Sequence, residues 1–109
     1  MQTYTPDTWV ILLFDSPDYG KIHKVFAGWY GGYTQGDSWK LSSGIVDFVD
    51  KEVLYSSLQD SGSTYNLYKT SEGMSGYQSV LLAGWMKNLQ EQGIILKVIT
   101  VEELMKGIV

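Results

Sequence analysis

The chain of 109 residues contains no cysteine and one histidine, His23. Disulfides and thiolate-bound metals are therefore excluded, and a small chain without cross-links fits a reducing compartment. A lone histidine cannot build a multi-histidine site, so any metal would depend on carboxylates. We expect no metal site and no cofactor, and we expect His23 to be an ordinary structural or surface residue.

Arginine is absent as well. All eight basic residues are lysines, and twelve acidic residues bring the formal net charge to −4. Arginine supplies the planar fork that recognises phosphate and guanine. Its absence, together with the acidic balance, argues against a nucleic-acid partner.

Long hydrophobic runs are also lacking. The longest run near the N-terminus is Trp9–Phe14, which is far too short to cross a bilayer. Residues 1–7 lack the basic start and the apolar stretch of a signal peptide. We therefore expect a cytoplasmic protein with no membrane partner.

The chain contains enough apolar residues to form one folded domain over residues 1–109. Hydrophobic residues make up 44% of it, which argues against disorder. Strands are predicted over Trp9–Phe14, Lys21–Tyr30, Ser38–Ser42, Ile45–Val49, Val53–Leu58 and Tyr65–Lys69. Their connections are short and rich in turn formers, which favours antiparallel hairpins over βαβ units.

The pattern changes to a helical period in the C-terminal part. Ser75 and Gln78 have capping-box spacing, and Val80–Gln92 repeats apolar residues on one face before a stop at Gly93. That face holds Leu82, Met86 and Leu89, flanked by Leu81 and Trp85. A last strand, Ile94–Ile99, and a short helix, Val101–Lys106, follow, and Thr100 with Glu103 forms a second capping box. The sequence predicts an α+β fold: an antiparallel meander of six to seven strands, one main helix packed on it and a short terminal helix.

The candidate binding residues lie in an aromatic and glycine-rich segment, residues 27–39. This segment holds four aromatic residues and four glycines. We expect Trp29 and Trp39 to face inward as a stacked cross-strand pair. Tyr30 and Tyr33 lie among glycines, so recognition of a partner stays open beside packing. The candidate site comprises Trp29, Tyr30, Gly31, Gly32, Tyr33, Asp37 and Trp39.

No motif for catalysis accompanies this segment. Gly28–Gly36 has neither a P-loop nor a dinucleotide fingerprint. The acidic pairs Asp15/Asp18, Asp47/Asp50 and Glu102/Glu103 fit turns and helix caps. We predict no catalytic residue.

Parts of the chain resemble small accessory proteins of tailed bacteriophages. The resemblance is carried by Val-Phe-Ala-Gly-Trp-Tyr-Gly-Gly-Tyr, Gly-Asp-Ser-Trp and Leu-Ser-Ser-Gly-Ile within Lys24–Ile45, and by Gly-Met-Ser-Gly-Tyr at Gly73–Tyr77. Most such proteins have no assigned function. The resemblance implies a bacterial host cytoplasm and a non-essential early role, and it transfers no catalytic residue.

Three functions remain open from the sequence. The first is a non-catalytic inhibitor or accessory protein that docks on a host protein, with a defence factor such as a CRISPR effector as one candidate. The alternative is a small-ligand binder, such as a sponge for a nucleotide signal, because aromatic rings stack on bases and glycine amides hold phosphates. A carboxylate-dependent hydrolase ranks last. Open strand edges also make a homodimer plausible.

Overall fold

The computed structural model describes residues 2–31 and 36–108. Its strands are β1 (Thr3–Tyr4), β2 (Thr8–Ser16), β3 (Gly20–Trp29), β4 (Ser38–Leu41), β5 (Ile45–Lys51), β6 (Leu54–Gln59), β7 (Thr64–Tyr68) and β8 (Ile95–Ile99). The α-helices are α1 (Gly76–Glu91) and α2 (Val101–Ile108), and a 3₁₀ turn occupies Lys69–Ser71. No helix among the described residues is long and apolar enough to cross a membrane.

The strands form two four-stranded sheets. The main sheet has the order β4-β3-β2-β8, and the second sheet has the order β1-β7-β6-β5. All neighbours are antiparallel except β1 and β7. The predicted α+β class, with mostly antiparallel strands, one main helix and a short terminal helix, is therefore confirmed. The division into two sheets and the pairing of β8 with β2 are additions, because strand patterns do not specify distant neighbours.

The main sheet is buried on both faces, as the apolar run in β2 indicates. On one face Trp9, Ile11 and Val25 pack against the second sheet and α2. On the other face Val10, Leu12 and Phe26 pack against α1, with Leu82 of the helix buried among them. The molecule thus has three layers: α1, the main sheet, and the second sheet together with α2.

Both ends of α1 follow the predicted chemistry. Ser75 and Gln78 form the predicted reciprocal capping box, so the helix begins at Gly76, four residues before the apolar repeat that starts at Val80. At the other end Gly93 adopts a φ of 77°, and the amide of Ile94 donates to the carbonyl of Leu89. This is the Schellman geometry that a glycine stop favours.

One residue on the predicted apolar face of α1 lies elsewhere. Met86 is exposed, whereas Leu81, Trp85 and Leu89 pack against the core around Leu82. The helix meets the sheet along a stripe centred on Leu82 and Trp85, and Met86 lies on its flank.

Gln78 connects α1 to two strands of the main sheet. Its side chain is fully buried. Its Oε1 accepts hydrogen bonds from the Ser75 amide at 3.0 Å and from the Thr8 hydroxyl at 2.5 Å. Its Nε2 donates to the carbonyl of Phe26 at 3.3 Å. A helix cap is therefore also an interlayer connection that ties the start of α1 to β2 and β3.

Gly28 provides the space that this amide occupies. A Cβ at position 28 would lie 2.5 Å from Oε1 of Gln78 and 2.8 Å from the hydroxyl oxygen of Thr8. These distances are too short for non-bonded atoms, and Gln78 is held on three sides by its hydrogen bonds. Only glycine at this point of β3 leaves the connection intact.

We predict that Gly28→Ala lowers the free energy of unfolding by about 2–4 kcal/mol, because it combines overpacking with a disturbed buried network. Gly84→Ala in α1 is the matched control, since a Cβ there has no neighbour within 4 Å. The control should stabilise the protein by about 0.5–1 kcal/mol. Urea unfolding monitored by tryptophan fluorescence measures the free energy of unfolding of both variants. Equal effects of the two substitutions would contradict the steric role of Gly28.

Candidate functional site

The two tryptophans of the aromatic segment do not form the predicted cross-strand pair. The register pairs Trp29 with Ser38 and Gly28 with Trp39. Because side chains alternate along a strand, this offset of one residue places the two indoles on opposite faces of the main sheet. The prediction of a stacked pair is therefore wrong, and the two residues have separate roles.

Trp29 belongs to the packing between the two sheets. Its ring lies edge-on to Tyr4 with centroids 6.3 Å apart, and its Nε1 donates to the carbonyl of Thr5 at 3.1 Å. It lies at the rim of the inter-sheet core and is only partly exposed. These contacts make it a structural residue that fixes the N-terminal segment.

Trp39 lies on the α1 side of the sheet, at the edge strand β4. Its ring contacts Phe26 at a centroid distance of 6.1 Å and Trp85 at 5.0 Å, both edge-on. Even so, 39% of Trp39 remains exposed. The packing covers one side of the indole and leaves the remainder at the surface.

Asp37 and Tyr77 lie beside each other at this edge. Both line a shallow depression of about 280 Å³, both are exposed, and the exposed fraction of Tyr77 is 44%. Trp39 follows Asp37 by two residues and packs on the same helix that carries Tyr77. We call Asp37, Trp39 and Tyr77 the aromatic edge.

The backbone approaches itself closely between β3 and β4, at Gly31 and Gly36. A Cβ on Gly31 would overlap the carbonyl oxygen of Gly36, so glycine at position 31 permits the approach. Tyr30 is 59% exposed, and its amide donates to the carboxylate of Asp7 at 2.9 Å. The predicted site residues Gly32 and Tyr33 lie outside the described residues.

Sequence reasoning did not include Tyr77 in the site. It lies 38 residues after Trp39 in the chain, and only the packing of α1 brings the two segments together. The sequence nevertheless indicates that Tyr77 is exposed. The capping box at Ser75 fixes the helical register, and in that register Tyr77 falls outside the apolar stripe.

His23 lies in a separate cavity of about 590 Å³, which Lys21, Lys97 and Glu103 also line. The ring is half-buried, and a Cβ on Gly107 of α2 would lie 3.4 Å from it. Burial, with the nearby charge of Lys21 as the second cause, lowers the pKa of His23 below its usual value.

The carboxylate of Glu103 is engaged by Thr100 and does not serve as the acidic partner of His23. Its carboxylate accepts hydrogen bonds from the Thr100 amide and hydroxyl at 3.1 and 3.2 Å, which lower the pKa of Glu103. The predicted capping box of α2 thus accounts for this carboxylate. Among residues 2–31 and 36–108, no three histidine or acidic side chains cluster as metal ligands would.

Comparisons with protein-family models, curated proteins and solved structures found no match to this chain. The resemblance to bacteriophage accessory proteins stays a prediction.

We predict that Trp29→Ala lowers the free energy of unfolding by about 2–3 kcal/mol. This is less than the roughly 3–5 kcal/mol typical of a fully buried tryptophan, because part of Trp29 is exposed. Tyr30→Ala, which removes the adjacent exposed ring, should change stability by less than about 0.5 kcal/mol. Chemical denaturation of both variants tests the assignment, and a Trp29→Ala protein as stable as wild type would refute it.

The lowered pKa of His23 predicts a pH dependence of stability. Because the unfolded chain binds a proton more readily, the free energy of unfolding should fall as the pH drops below about 6.5, and it should level off below the folded-state pKa. Urea titrations at pH 7.5 and 5.5 measure this loss, and His23→Gln should reduce it. An unchanged loss in His23→Gln would assign the pH dependence to other groups.

Proposed function

We propose that this chain is a non-catalytic binding protein that docks on another protein through the aromatic edge and the adjoining turn. The observation that carries the proposal is the packing of Trp39, which contacts Trp85 at a centroid distance of 5.0 Å yet remains 39% exposed. A large aromatic ring that is already ordered loses little conformational entropy on binding. Such residues dominate the energetics of many protein interfaces.

The charge around this ring supports a partner that presents a basic side chain. Asp37 is exposed within the aromatic edge, and the chain as a whole carries a net charge of −4. An arginine or lysine of the partner would lie over the Trp39 or Tyr77 ring and pair with the Asp37 carboxylate. Following the bacteriophage resemblance, we place that partner in a bacterial host, with a defence protein as the leading candidate.

The turn between β3 and β4 adds further candidate contacts. Tyr30 is exposed beside it, and Tyr33 is retained as a predicted contact residue from the sequence. The close approach of Gly31 and Gly36 fixes where the turn leaves and re-enters the sheet. The proposed surface therefore combines the aromatic edge with Tyr30 and Tyr33.

The test begins with affinity purification from bacterial lysate and continues with the purified partner. We expect Tyr77→Ala and Tyr33→Ala each to weaken binding by about tenfold or more while leaving the thermal unfolding midpoint near that of wild type. Asp37→Lys should weaken binding further by charge repulsion, and added salt should weaken binding to wild type.

Tyr19→Ala is the matched control. Tyr19 is 82% exposed, and it lies in the β2–β3 turn at the other end of the hairpin, about 30 Å along β3 from Trp29. Its removal should leave the dissociation constant unchanged. A partner whose affinity falls with Tyr19→Ala but not with Tyr77→Ala would overturn the proposed docking surface.

A further inference from the structure

The second sheet forms an outside surface of the molecule, on the far side from α1. Side chains alternate along its strands, and Phe48 and Leu67 point into the core between the two sheets. The residues between them point outward. Val49, Leu58 and Tyr68 are among these, and each is between 38% and 43% exposed. We call the outward side chains of β5, β6 and β7 the outer face.

The strand registers arrange the outer face in three rows that run across the strands. The middle row holds Val49, Ser56 and Asn66. One end row is Asp47 with Leu58 and Thr64, and the other is Lys51 with Leu54 and Tyr68. Asp47 and Lys51 supply its two charges, which are of opposite sign and lie at equal distances from the middle row. The exposed apolar residues between them form a patch of the kind that marks an interaction surface.

This arrangement is complementary to itself. A half-turn about an axis along the middle row exchanges the two end rows. It brings Asp47 of one copy over Lys51 of a second copy, and Leu58 over Leu54. Sheets that pack face to face lie about 10 Å apart with strand directions within about 30°, a spacing that an aspartate and a lysine side chain can span together. Opposite charges and apolar side chains therefore match in one and the same two-fold geometry.

The size of the outer face sets the strength of such a contact. Three strands about 4.8 Å apart and five residues long cover roughly 14 by 17 Å. This footprint is at the small end of protein interfaces. It is suited to a reversible dimer with a dissociation constant of roughly 1–100 μM rather than to an obligate one. The polar residues Ser56, Thr64 and Asn66 are compatible with a face that is also exposed in the monomer.

We propose that the outer face binds a second copy of this chain and forms a two-fold dimer in which the second sheets pack face to face. The two ion pairs between Asp47 and Lys51 select the antiparallel orientation of the facing strands. The aromatic edge lies on the α1 side of the main sheet, so it stays free in each copy. The dimer then presents two aromatic edges, although its formation does not depend on the function proposed for them.

Sedimentation velocity over a concentration series up to about 1 mM tests the dimer, with a dissociation constant of roughly 1–100 μM expected. Val49→Lys should weaken association at least tenfold, because it places two ammonium groups together on the axis. Leu58→Lys should do the same, because it faces Leu54 of the second copy. Val80→Lys is the matched control, since Val80 is an exposed valine on α1, and it should leave association unchanged.

A charge exchange tests the two-fold geometry. Asp47→Lys and Lys51→Asp should each weaken self-association about tenfold, because like charges then face each other. An equimolar mixture of these two variants should associate nearly as tightly as wild type, because every charge again meets its opposite. Thermal unfolding checks that each variant is folded.

Four results would overturn the proposal. The first is a wild-type protein that stays monomeric at every concentration. The second is a mixture of the two charge variants that associates no better than either variant alone. The third is an equal loss of association in Val49→Lys and Val80→Lys. The fourth is a Leu58→Lys protein that dimerises as tightly as wild type while Val49→Lys does not, which would place the contact at the free edge of β5.

Discussion

The buried amide of Gln78 is the interaction on which the arrangement of α1 and the main sheet depends. It caps the helix through Ser75, accepts from Thr8 in β2 and donates to the backbone of β3. Gly28 leaves the space for it. A buried amide with its partners in place fixes one geometry, because any displacement of the helix would leave polar groups unpaired. The position of α1 then determines where Trp85 and Tyr77 lie relative to Trp39.

This connection also joins two distant parts of the sequence. The glycine-aromatic segment begins around Gly28, and the cap of α1 lies at Ser75–Gln78, immediately after the Gly73 turn. In the fold these two segments meet at one buried amide. The aromatic edge is built from the same two segments. The position of the aromatic edge is therefore a consequence of the packing beneath it.

Local chemistry explains which parts of the fold the sequence predicts well. The capping boxes at Ser75 and Thr100 and the stop at Gly93 involve residues within a few positions of one another, and each has the predicted geometry. The register of β4 against β3 depends instead on the segment between them and on tertiary packing. Local patterns do not specify that register, and the predicted pairing of Trp29 with Trp39 is therefore wrong.

We propose that function resides at the aromatic edge, where the main sheet and α1 meet. Hydrogen–deuterium exchange of the protein with and without its purified partner tests this most directly. We expect slower exchange on binding at residues 37–41 and at the start of α1, around Tyr77, with no change in the β2–β3 turn around Tyr19. Protection confined to the second sheet or to the β2–β3 turn, with residues 37–41 unaffected, would contradict it.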